Sequence, residues 1–148
     1  MDDHASFIVK GDRGNFLKVV VLAVEGPVSD DRSPERWLSC TFEVSVDGFR
    51  GSAPFSCATF ELASLGEQLN RLLALPSNRV TGSARFDTME PVLSFEVNVN
   101  HLGQVIVSGE IHLVNETGIE LRFSYASELS YIVELDRQVV NVSSRIRV

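Results

Sequence analysis

PVLSFEVNVNHLGQVIVSGEIHLVNETGIELRFSY, residues 91–125, carries apolar side chains at every second position through three successive runs. Leu93, Phe95, Val97 and Val99 make the first, Val105, Val107, Ile111 and Leu113 the second, and Ile119, Leu121, Phe123 and Tyr125 the third. Alternation with period two marks strands that have one dry and one wet face, so the stretch reads as a three-stranded meander burying its odd-numbered residues. The turns set its register. A three-residue loop at His101, Leu102 and Gly103, with the glycine left-handed, puts Val99 opposite Val105 and Val97 opposite Val107. A two-residue loop would set Val99 against Ile106 and mix the faces, which a buried face does not tolerate. At the second turn, Asn115 to Gly118, pairing Leu113 with Ile119 puts Glu110 opposite Arg122 and His112 opposite Glu120. Each such wet-face pair is worth roughly 0.2–1 kcal/mol.

Upstream, Trp37–Val46 and Phe49–Cys57 form a hairpin about Asp47 and Gly48. A two-residue turn pairs Val46 with Phe49 and Cys40 with Phe55. Leu38, Cys40, Phe42, Val44 and Val46 then share a dry face with Phe49, Ala53, Phe55 and Cys57, while Thr41, Glu43, Ser45, Arg50, Ser52 and Ser56 face water. Trp37 sits on the wet parity and reads as a packing residue under a loop. Cys40 and Cys57 lie diagonally in this register, a poor disulfide geometry, and read as small buried apolar groups. Before the hairpin, Phe7–Val9 is an edge strand, Gly11–Gly14 a turn, and Phe16–Val24 a strand that is central in the sheet or covered on both sides. Gly26–Pro34, rich in Asp, Ser and Pro, is a loop.

From Thr59 the period becomes helical, with Leu62, Leu65, Leu69, Leu72 and Leu73 on one stripe, Thr59 as N-cap and Pro76 as terminator. This helix is expected to lie across the sheet. Val80–Phe86 is a further short strand, and a second helix runs from about Glu128 to Ile146 with Ser127 as its cap. The expectation is one α+β domain over residues 1–148, a mostly antiparallel sheet of about seven or eight strands with two helices, one mid-chain and one C-terminal.

With 148 residues the chain suits one sizeable core, and its 44% hydrophobic and 22% charged content is ordinarily globular. No run approaches the roughly 20 apolar residues of a membrane span, and Met1–Lys10 lacks the order of a signal peptide, so a cytoplasmic protein without a membrane partner is expected. A net charge of −7 repels a phosphate backbone and favours basic partners, which argues against nucleic acid.

Chemistry is sparse. The sequence has no G-x-S-x-G elbow, no P-loop and no G-x-G-x-x-G, and Cys57 has no neighbouring motif that supplies a base. His112, Glu110 and Glu120 share a face, yet Arg122 opposite Glu110 disfavours a cation there, so no metal is expected. No cofactor and no enzymatic activity are expected.

Trp37-Leu-Ser-Cys-Thr-Phe-Glu-Val, the leucine helix Phe60–Leu73, Glu90-Pro-Val-Leu-Ser-Phe-Glu-Val and the run Gly103–Phe123 together resemble the WapI-like family of small bacterial proteins, from about Trp37 to Val140. The resemblance implies an α+β protein, some relatives being named as immunity proteins that neutralise a cognate toxin in the producing cell by occluding it. It carries over no catalytic residue. Asp30 and Asp31, in the Gly26–Pro34 loop, are then free to contact a basic toxin, as are the wet faces of the sheet. Beside this reading stand a small-ligand carrier with a concavity between helices and sheet, and a homo-oligomeric structural protein. The latter would be a two-fold dimer through the edge at Phe7–Val9 or the strand at Val80.

Overall fold

Wherever the pattern alternates, the chain pairs antiparallel, as a computed structural model describing residues 5–29, 32–113 and 118–146 shows. Its strands are β1 (Ala5–Lys10), β2 (Phe16–Pro27), β3 (Arg36–Val46), β4 (Phe49–Ala58), β5 (Gly82–Phe86), β6 (Leu93–Val99), β7 (Val105–Leu113) and β8 (Ile119–Ser127). Helix α1 (Thr59–Leu73) joins β4 to β5, and α2 (Leu129–Arg145) follows β8. The strands form two four-stranded sheets, ordered β1-β2-β3-β4 and β5-β6-β7-β8, so the fold is α+β with α1 carrying the chain from one sheet to the other.

Turn chemistry and parity together set the registers. Val99 pairs with Val105 and Val97 with Val107 around a loop whose Gly103 has φ 80°. Across the second turn Leu113 pairs with Ile119, Glu110 with Arg122 and His112 with Glu120; residues 114–117 of that turn lie outside the described ones. At the first hairpin Asp47 and Gly48 both have positive φ, 50° and 91°, the mirror-image turn whose twist suits two strands, and Val46 pairs with Phe49. Strand β2 is central between β1 and β3, and bulges after Val21 and Val24 shift its register, leaving Leu22 and Val24 exposed.

The dry faces of the two sheets meet in one core. Phe7 of β1, Phe55 of β4, Phe86 of β5 and Phe95 of β6 join them through ring contacts at 5.4–6.5 Å. Leu93 and Val107 are buried, as the meander requires. Two glycines admit aromatic rings. A Cβ on Gly109 would lie 2.4 Å from the Phe123 ring, and one on Gly11 2.1 Å from the Tyr125 ring.

The helices complete the core from Leu62, Leu65, Leu69 and Leu72 of α1 and Ile132, Leu135, Val139 and Val142 of α2. Their starts differ from the sequence expectation. Thr59 is the first residue of α1 rather than its cap, because its hydroxyl donates to Glu35 and accepts from the Arg36 N–H. Ala58 holds the cap position, and its N–H donates to the Glu61 carboxylate at 2.7 Å. Ser127 does not cap α2, since its hydroxyl donates to the Lys10 carbonyl; Glu128 holds the cap position.

Each helix also closes a sheet edge. Gln138 of α2 accepts the Ile8 N–H at 2.8 Å, and Gln68 of α1 pairs with both backbone groups of Arg85, at 2.9 and 3.1 Å. The edges at Phe7–Val9 and in the strand after Val80, expected as dimer edges, therefore already have partners at these points. Among the described residues the other two edges, β4 and β8, carry no neighbouring strand.

Candidate functional site

At one corner of the molecule the two dry faces diverge instead of closing. Along β8 the odd-numbered side chains run from buried Tyr125 through half-buried Phe123 to Leu121 and Ile119, exposed 42% and 48%. On the facing sheet, Phe49 has the dry parity of β4 and pairs with Val46, yet it is 79% exposed. Between these surfaces lies a cleft of about 400 Å³. Phe42, Val44, Val46 and Phe49 line one wall together with Arg50, Gly51 and Ser52, and Ile111, Leu113, Ile119, Leu121 and Phe123 line the other. Apolar side chains placed by strand parity for burial, but left in water, are the mark of a surface that another molecule covers.

The wet face beside the cleft is a charge ladder. Arg122 Nε lies 3.1 Å from Glu110, and His112 sits between Glu110 at 3.3 Å and Glu120 at 3.2 Å. On the same sheet Arg85 bridges Glu96 at 3.1 Å and Asp87 at 3.2 Å, which raises the guanidinium pKa further above its ordinary value. Among the described residues no group of three or more His, Cys, Asp or Glu is placed to hold a metal ion.

A second groove, of about 440 Å³, lies between the start of β3, α1 and the end of α2. Its polar groups are engaged with one another: Thr59 donates to Glu35, and the Arg36 guanidinium donates to the Ser33 and Glu35 carbonyls. They do not converge on a ligand in the way a carrier site requires.

Cys40 and Cys57 are buried and unbridged, their Sγ atoms 3.9 Å apart. The hydrogen bond to Cys40, together with burial, pushes the Cys57 thiol far up from its ordinary value. Burial likewise raises the Tyr125 phenol, whose hydroxyl donates to the Val9 carbonyl and ties β8 to β1.

Asp30 and Asp31, the acidic pair read from sequence as partner contacts, lie outside the described residues. The residues that converge are Phe49, Ile119 and Leu121, which parity alone assigns to the core. Only the splay of one sheet from the other sets them apart. A family model described as the immunity protein WapI-like family matches residues 7–142. No curated protein matches the chain.

Proposed function

This chain belongs to the WapI-like immunity protein family, and from that premise we propose that it binds a cognate protein toxin and keeps it inactive, seating it on the apolar cleft behind Phe49. The observation that carries the placement is the exposure of Phe49, 79% on a strand face whose Phe55 and Cys57 are buried. An aromatic residue held out at a hairpin tip, beside a cleft lined largely by aliphatic and aromatic side chains, has the composition of a binding hot spot. The toxin is basic, since a partner of a chain with net charge −7 gains both attraction and speed of encounter from positive charge. Inhibition is by occlusion in the cytoplasm of the bacterial cell that makes the toxin, without a catalytic step or cofactor. Co-expression with the toxin encoded beside this gene tests the reading. Growth restored by the parent chain but not by Phe49→Ser supports it, and arrest unrelieved by the parent chain, with no complex on gel filtration, overturns it.

A further inference from the structure

Among the described residues the outer edge of β8 has no strand partner, and its sequence is complementary to itself. Written along the strand, the residues are Ile119, Glu120, Leu121, Arg122 and Phe123, with the charges on the wet face and the apolar side chains on the dry one. If two such strands run antiparallel and are centred on Leu121, Glu120 of one faces Arg122 of the other, and the reverse pair repeats it. Leu121 then meets its own copy, and Ile119 meets Phe123. Every cross-strand pair is opposite in charge or apolar on both sides, and parity is kept across the junction. The ladder within one chain continues through it: Glu110 beside Arg122, then Glu120 of the second copy, then His112 of that copy.

The other three edges differ. Gln138 takes a backbone group of β1 and Gln68 takes two of β5. Strand β4 contains Pro54, which has no N–H to offer, and Gly51, which has no side chain to pair. Strand β8 has no proline or glycine between Ile119 and Ser127. Its exposed Leu121 and Ile119 gain neighbours when a strand is added.

We propose that β8 pairs antiparallel with β8 of a second copy of this chain about a two-fold axis at Leu121, joining two four-stranded sheets into one of eight. The interface is isologous, as closed dimers require. It uses the edge of the strand whose Ile119, Leu121 and Phe123 also line the cleft, so the two readings are told apart by measuring self-association without toxin and by confining the toxin variant to Phe49 on the other wall.

Light scattering coupled to gel filtration, on the purified chain without toxin, tests it. The parent elutes at twice the 16.3 kDa of one chain. Glu120→Arg and Arg122→Glu, at side chains 76% and 85% exposed, leave the circular dichroism spectrum unchanged. Each weakens the dimer roughly tenfold or more, because two attractive pairs become repulsive. An equimolar mixture of the two variants restores a dimer, since opposite charges again face each other at both positions. A parent that stays monomeric at millimolar concentration overturns the proposal. So does a dimer indifferent to both substitutions, or a mixture of folded variants that fails to pair.

Discussion

Phe49→Ser separates binding from folding. A phenylalanine encloses roughly 150–250 Å² when fully packed. With 79% of Phe49 exposed, about 120 Å² of the smaller figure remains for a partner to cover, and about 30 Å² is already covered in the free chain. At about 25 cal/mol per Å² the partner gains about 3 kcal/mol from that ring, while the fold gains under about 1 kcal/mol. Removal therefore weakens the toxin complex by about 100-fold, at 1.4 kcal/mol per factor of ten. The melting temperature falls by no more than about 2–4 °C for a domain of this size. Calorimetric titration of the complex and a thermal melt of the free chain give the two numbers. Binding weakened by less than about threefold refutes the placement of the site. A fall of more than about 10 °C refutes the claim that this ring lies outside the core.

Gly109→Ala would drive a methyl to 2.4 Å from the Phe123 ring and 2.8 Å from the Ser94 carbonyl, and the latter is backbone that cannot swing aside. Overpacking of this kind costs about 1–3 kcal/mol, so urea denaturation should show a lowered midpoint, and an unchanged one would mean the ring does not lie on that glycine. Cys40 and Cys57 should resist iodoacetamide at pH 8 in the native chain and react once denaturant opens the core; brisk native labelling contradicts the buried thiol pair. One oxygen of Asp136 is buried without a hydrogen-bond partner among the described residues, and burial raises its carboxyl pKa. The folded chain therefore takes up that proton at higher pH than the unfolded chain. The resulting penalty is present at neutral pH and is relieved as pH falls through the folded value. Asp136→Asn should raise the melting temperature at pH 7, with the gain shrinking on acidification; a gain that grows instead contradicts the sign.

Much of the fold was legible because strand parity and turn chemistry agree. Gly103 has the positive φ that its turn demands, and each pair expected across the meander is found. The division into two sheets was not legible, since parity names a dry face without naming the layer that covers it. For the same reason Phe49 reads as core: its position is dry by alternation, and its exposure arises from how far the second sheet extends over the first. The glutamines that close two edges were hidden too. Gln68 and Gln138 occupy the polar sides of amphipathic helices, where a glutamine bound to a strand edge and one in water look alike in sequence. Similarly, Thr59 has the chemistry of an N-cap but is diverted by Glu35 and Arg36, which only tertiary placement brings near.

Hydrogen–deuterium exchange of this chain with and without its toxin addresses the cleft most directly. The expected footprint is slowed exchange over Val44–Gly51, the wall of the cleft that self-pairing of β8 leaves open, with the outer faces of α1 and α2 unchanged. Protection confined to the helices, or to the groove at Glu35 and Thr59, would contradict the cleft as the surface that meets the toxin.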